Sequence, residues 1–297
     1  MTDAAVNIDR LSKRYGAVRA LTDLTLRVES GEVFGFLGPN GAGKTTTIRL
    51  LLDLIRPTAG RAELLGMDSR RDAVAIRRRT GYLPSELALD PRLTAGELLD
   101  YYGHLRGGVD TAWRDGLVDR IGLDPSRRLR TLSTGNRKKA GIVQAFMHRP
   151  DLVILDEPTS GLDPLVQRAF LDLVREVAAG GACVFLSSHV LTEVEDAADR
   201  VGIIRAGELV TVDTVAALTR QAVRHLVLRF TGPVPAEAFA GLDGVSDVTV
   251  DGALVDATVT GSPDALVKAA ARFELADLSP RDTELEDVFL AFYREAS

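Results

Sequence analysis

The stretch Phe34 to Thr46 carries the residue types most plainly suited to chemistry: Phe-Gly-Phe-Leu-Gly-Pro-Asn-Gly-Ala-Gly-Lys-Thr-Thr. Gly38 and Gly43 bracket Pro39, Asn40, Gly41 and Ala42, and Lys44, Thr45 and Thr46 follow, which fits the pattern G-x-x-x-x-G-K-S/T. Glycines let the backbone curl so that several N–H groups point at one anion. A helix after the loop adds its positive N-terminal end to the same spot. Lys44 then reaches the β- and γ-phosphates of a nucleotide, and the Thr45 hydroxyl ligates Mg²⁺. The context agrees, because Val33 to Leu37 is strand-like and Thr46 to Leu54 is helix-like.

Two acids form the second constellation. Leu152-Val153-Ile154-Leu155 is apolar at every position and ends in Asp156-Glu157. Such a run is a buried parallel strand, and ligands of open α/β sheets bind at the carboxyl ends of their strands. Asp156 there can orient the Mg²⁺ shell. Glu157 can take a proton from water attacking the γ-phosphate. A further buried strand, Val184 to Ser187, delivers Ser188-His189. His189 can contact the γ-phosphate and hold the attacking water, or simply cap a helix. Leu132-Ser133-Thr134-Gly135-Asn136 opens a helix that ends before Pro150, which is a second anion-binding geometry or a plain N-cap. Tyr15, in Ser12-Lys13-Arg14-Tyr15-Gly16, is either a platform for an adenine ring or a turn tyrosine that packs.

The elements that position these groups fit a chain of 297 residues, 45 % hydrophobic and 26 % charged. That allows one large or two modest domains with real cores. Residues 5–35 alternate as strands do, and a short hairpin is expected around Ala62 to Leu65. Thr80-Gly81-Tyr82-Leu83 is a strand, and residues 94–130 read as helical. Ser160 to Asp163 is a turn, Leu165 to Ala178 a helix, and Val201 to Ile204 with Gly207 to Val212 a hairpin. No stretch approaches the ~18 apolar residues that span a membrane, so a soluble chain is expected. The N-terminus carries no basic-then-apolar signal, which points to the cytoplasm. The single cysteine, Cys183, suits a buried strand. A net charge of −6 argues against nucleic acid as a partner. The clusters Arg77-Arg78-Arg79 and Arg137-Lys138-Lys139 are assigned to solvated helix faces without chemistry.

In their fixed order over residues 6–213, these pieces resemble the nucleotide-binding subunit of ABC transporters. The resemblance makes residues 38–45 the Walker A motif, residues 152–157 Walker B with Glu157 as catalytic glutamate, and His189 the switch histidine. It makes Tyr15 the adenine-stacking aromatic, Ser160 to Asp163 the aspartate loop, and residues 132–136 the signature usually written LSGGQ. Thr134 replaces a glycine of that signature and Asn136 its glutamine, while Ser133 and Gly135 remain. Ser85, followed by Glu86, stands where the family has its glutamine loop.

The implied fold is α/β. It has a P-loop NTPase core, mostly a parallel sheet flanked by helices, with an antiparallel β subdomain, a helical subdomain and a small α+β C-terminal domain. The implied ligands are ATP and Mg²⁺. The implied partners are a separately encoded transmembrane permease and a second copy of the chain or a homologous ATPase subunit. Each ATP would lie between the Walker A loop of one domain and the signature of the other, so Asp163, Ser133, Gly135 and Asn136 join the ATP-binding residues. The chain would sit at the cytoplasmic face of the membrane through that partner.

The nucleotide-binding domain is expected to span residues 1–219, with its helical subdomain at about 85–150, and an accessory domain residues 220–297. In the latter, Leu226 to Phe230, Val245 to Val250, Leu254 to Val259 and Leu275 to Leu278 look like strands, with helices at Ala236 to Leu242 and Pro263 to Phe273. That order suggests a ferredoxin-like unit. Thr283 and Glu286 form a capping box ahead of the stripe Leu285, Val288, Phe289 and Phe292. The Leu-Glu-Asp-Val-Phe-Leu ending also resembles ATPases of ABC-2 type drug and antibiotic exporters. The rival expectations are a soluble ABC ATPase of translation or DNA repair, and a regulatory subunit that has lost turnover.

Overall fold

The runs Val33–Leu37 (β3), Leu152–Asp156 (β7) and Cys183–Ser188 (β8) are buried at every residue. They need no polar face because helices and a second sheet cover them, as parallel strands require. The computed structural model describes residues 4–221, 223–260 and 262–281. The chain divides into two compact units between Asp213 and Thr214.

In the first unit, Ala4–Tyr15 (β1) and Val18–Glu29 (β2) form a long antiparallel hairpin. After β3 come Lys44–Leu51 (α1), Ala59–Leu64 (β4) and Met67–Asp68 (β5). The sheet β2-β1-β4-β5 that results is the antiparallel layer. Next are Ala73–Arg79 (α2), Thr80–Leu83 (β6), Ala95–Leu105 (α3), Thr111–Ile121 (α4) and Thr134–Phe146 (α5). Beyond β7 the chain continues through Pro164–Ala179 (α6), β8, Leu191–Ala197 (α7), Arg200–Arg205 (β9) and Glu208–Thr214 (β10). The main sheet has the order β10-β9-β3-β8-β7-β6, and its pairs β9–β3, β3–β8, β8–β7 and β7–β6 are parallel. This order matters for chemistry, because it sets the carboxyl ends of β3, β7 and β8 side by side.

The core joins both sheets through Phe34, Phe36 and Phe185, whose rings lie 5.3–5.7 Å apart in successive pairs. Cys183 sits in it fully buried, and burial, with Glu32 nearby, pushes its thiol pKa up. The helical stretch expected over 94–130 is two helices. Gly107 and Gly108, at φ 85 and 113, turn the chain between α3 and α4. Thr94 and Glu97 cap α3 reciprocally, with bonds of 3.1 and 2.7 Å. Among the described residues, no helix is long and apolar enough to cross a membrane.

The second unit runs Val215–Gln221 (α8), Val223–Phe230 (β11), Val245–Asp251 (β12), Leu254–Thr260 (β13), Asp264–Ala270 (α9) and Leu275–Arg281 (β14). Its strands pair antiparallel in the order β12-β13-β11-β14. Phe230, Phe239 and Phe273 cluster at 5.8–6.0 Å in its core. The helix expected at Ala236 to Leu242 is instead a single 3-10 turn, Ala236–Phe239, and Gly241 at φ 67 prevents its extension. The capping box at Thr283 and Glu286 and the apolar stripe after it lie outside the described residues.

Candidate nucleotide site

The loop between β3 and α1 turns on Gly41 and Gly43, with φ of 83 and 114, angles that side-chain-bearing residues rarely adopt. The Ala42 N–H donates to the Pro39 carbonyl at 3.1 Å and closes the turn. A Cβ at Gly38 would collide with the Ile204 carbonyl, so β9 walls the loop from behind. Gly43 occupies the N-cap of α1 without a capping side chain. The first N–H groups of that helix therefore face the loop's concavity. That concavity is a cavity of about 250 Å³ lined by Ala20, Pro39, Asn40, Gly41, Gly43, Lys44, Thr45, Thr46, Ser85 and Glu157.

Lys44 is 5 % exposed. Its ammonium donates to the Gly38 carbonyl, to the Pro39 carbonyl at 3.3 Å, and pairs with Glu157 Oε1 at 3.3 Å. Burial of both charges is tolerable because each offsets the other. The other oxygen, Glu157 Oε2, lies 2.7 Å from His189 Nδ1. A carboxylate can only accept, so Nδ1–H is the donor. Apart from the Lys44 ion pair, Oε1 is a buried oxygen with no hydrogen bond among the described residues.

Asp156, fully buried at the end of β7, accepts from the Thr45 hydroxyl at 2.9 Å and from the Ser187 hydroxyl at 2.7 Å. A hydroxyl and a carboxylate in contact beside a phosphate cradle are oxygen ligands of the kind Mg²⁺ prefers. Among the described residues no group of three or more His, Cys, Asp or Glu could hold a metal by itself. That is expected of an ion that keeps waters and binds substrate phosphates. Tyr82 on the adjacent strand β6 has its phenol pKa pushed up to about 12, by burial and then by Asp156. It stays neutral beside that carboxylate.

Tyr15, Ser133, Gly135, Asn136, Asp163 and Glu86 are not among the residues that line this cavity. Tyr15 closes the β1–β2 hairpin, 47 % exposed, with Lys13 Nζ 4.9 Å from its ring centroid. Ser133 is the N-cap of α5, and its hydroxyl accepts from the Asn136 N–H at 3.3 Å and from Asn136 Nδ2 at 3.1 Å. A Cβ at Gly135 would run into the Gly161 carbonyl, so α5 and the Ser160–Asp163 turn touch by backbone. Asp163 is the N-cap of α6, accepting from the Val166 N–H at 3.0 Å. Glu86 lines a different cavity, of about 360 Å³, with Tyr82, Leu87, Tyr102 and Arg106, whereas Ser85 lines the phosphate cavity.

The ABC transporter family pattern matches residues 21–160. The daunorubicin resistance ATP-binding protein DrrA3 of Streptomyces coeruleorubidus is 39 % identical over 98 % of this chain and 96 % of that protein. This chain belongs to the ABC transporter ATP-binding family. Cassettes of this family bind ATP and ADP, and the chain is an ATPase of that kind. The Nod factor export ATP-binding protein I of Paraburkholderia xenovorans is 32 % identical over 98 % of this ABC ATPase and 97 % of its own length. A solved ATP-binding subunit of an ABC transporter superposes with a TM-score of 0.66 at 32 % identity, over 73 % of this chain and 92 % of that one. The expected P-loop NTPase fold is thereby established.

Two residues of the ABC ATPase escaped the sequence reading. Ser187 holds Asp156 from the neighbouring strand, and the signal for it was a pair of serines ending an apolar strand. Lys138 is the sharper correction. It was assigned to a solvated basic face but is 3 % exposed, with its Nζ 2.5 Å from the Glu157 carbonyl.

Proposed function

We propose that this ABC ATPase powers export of a drug, antibiotic or lipid-like molecule through a separately encoded transmembrane permease, at the cytoplasmic face of the membrane. The observation that carries the reading is the meeting of Lys44, Thr45 and Glu157 at one cavity of about 250 Å³, with the buried Asp156 accepting from the Thr45 hydroxyl behind it. Relatives named for daunorubicin resistance and Nod factor export, each matched over 98 % of the chain, support the direction.

On this reading the phosphates of ATP enter the Gly38–Thr46 loop and its amides solvate them. Lys44 leaves the Gly38 and Pro39 carbonyls and Glu157 Oε1 for the β- and γ-phosphates. Thr45 and Asp156 hold Mg²⁺, which neutralises phosphate charge. Glu157, relieved of Lys44, accepts the proton of the attacking water, and His189 orients it and contacts the γ-phosphate. Tyr15 stacks on the adenine. Ser133, Gly135 and Asn136, with Asp163, bind the ATP held by a second copy or a homologous subunit, so that ATP closes two domains together. Ser85 takes the glutamine-loop position, since it lines the phosphate cavity and Glu86 does not. Residues 220–297 form an accessory domain, for which the strand order β12-β13-β11-β14 supports a ferredoxin-like arrangement.

The test uses inside-out membrane vesicles carrying the chain and a separately encoded permease. ATP should drive substrate into such vesicles, and Lys44→Ala should abolish both uptake and ATP binding. Uptake only into right-side-out vesicles would reverse the direction, and full turnover by Lys44→Ala would remove the site.

A further inference from the structure

In the basic run Arg137-Lys138-Lys139, Arg137 is exposed and Lys139 half-buried, but Lys138 is sealed at 3 % exposure. An ammonium is buried at a cost unless it is well hydrogen-bonded, so its partner is informative. Nζ donates to the main-chain carbonyl of Glu157 at 2.5 Å, across 19 positions of sequence. The same residue is gripped from its other side. The Glu157 N–H donates to the Ser187 carbonyl at 3.1 Å and to the Ser187 hydroxyl at 3.3 Å. Between these grips Glu157 has φ 51. A residue with a side chain stays in that left-handed region only where its surroundings hold it there. The direction in which the carboxylate leaves the backbone, toward Lys44 and His189, depends on that angle.

We propose that Lys138 is a positioning residue, which holds the Glu157 peptide so that the carboxylate meets the attacking water. Resting on the roles proposed above for Glu157 and the signature, it also links two sites. Lys138 lies on α5, the helix whose N-cap is Ser133. The outer end of α5 would face the nucleotide of the partner domain, while Lys138 sets the base of its own domain.

The test uses the full chain. Lys138→Met keeps an unbranched apolar stem and removes the donor, and Lys138→Arg restores a donor. For Lys138→Met, kcat should fall about tenfold to a hundredfold, because displacing a reacting group by about 1 Å costs on the order of 10²-fold. The Kd of a fluorescent ATP analogue should stay within about twofold, and Lys138→Arg should recover most of the rate. Mixed dimers locate the effect. One subunit carries Lys44→Ala, so only the other subunit's Glu157 works. Lys138→Met should cost at least about tenfold more in the subunit that keeps Lys44 than in its partner. An unchanged kcat, an equal loss in both placements, or a larger loss in the Lys44→Ala subunit would overturn the proposal. The last two would mean that Lys138 supports folding or the signature. If the wild-type chain and permease turn over no ATP, the function proposed above falls first, and this inference with it.

Discussion

Replacing Glu157 by glutamine changes little in shape and removes one negative charge from a site where that charge has two neighbours. Oε1 lies 3.3 Å from Lys44 Nζ. At that distance and an effective dielectric near 20, the gross attraction is about 5 kcal/mol. Hydration regained when the pair separates offsets most of it, leaving about 1.5–3 kcal/mol, the range found for hydrogen bonds to charged groups. ATP must displace Lys44 from this carboxylate, so the glutamine variant should bind ATP more tightly, by about tenfold at the lower figure. Hydrolysis should move the opposite way. A general base contributes about 10²–10⁴-fold, or roughly 2.7–5.4 kcal/mol of barrier. Tighter binding with the product state out of reach should let ATP hold two chains together. Size exclusion of Glu157→Gln should show a dimer with ATP and none with ADP, and a coupled assay should show at least a hundredfold loss of kcat. Near-normal hydrolysis without an ATP-held dimer would refute the reasoning. Another group would then activate the water, and Glu157 would serve only as the resting partner of Lys44.

Two further outcomes follow from packing and burial. Gly135→Ala puts a methyl group against the Gly161 carbonyl. It should lower stability by about 1–3 kcal/mol, as overpacking does, and slow turnover while sparing ATP affinity; an unchanged Tm would refute the close approach. His148 has its pKa lowered to about 4 by burial and then by Arg106, and its Nε2 donates to the Thr80 carbonyl at 3.3 Å. The unfolded chain binds that proton near pH 6.5, the folded chain only near 4, so stability is full above about 6.5 and is lost as pH falls toward 4. The loss is about 3 kcal/mol at most. Urea unfolding of His148→Gln, which keeps a donor and does not titrate, should show a flatter pH dependence across that window; an identical slope would refute the assignment.

The difference between what was legible in the sequence and what was not follows from how far apart the cooperating atoms lie along the chain. The phosphate loop could be read from Gly38 to Thr46 because its function is local. The glycines permit the turn, the turn aims the amides, and the lysine comes next. The Asp156-Glu157 pair could be read because an unbroken apolar strand announces a buried sheet, and its end announces the surface where ligands bind. Residues that act across the strand order were silent. Ser187 reaches Asp156 only because β8 is the neighbour of β7, and nothing in Ser187-Ser188 names its acceptor. Lys138 was misplaced for a related reason. Successive residues on a helix are about 100° apart around the axis, so a cation inside a basic run can point inward even when its neighbours face water. The one that points inward needs a buried acceptor that sequence cannot supply. Here the acceptor is the carbonyl of a non-glycine residue at φ 51, next in sequence to the buried carboxylate of Asp156. Backbone strain of that kind leaves no mark on residue type, because glutamate was chosen for its carboxylate and not for its φ. The residue with the clearest chemical signature thus has the least legible backbone, and the groups that hold it there are the ones a motif search passes over.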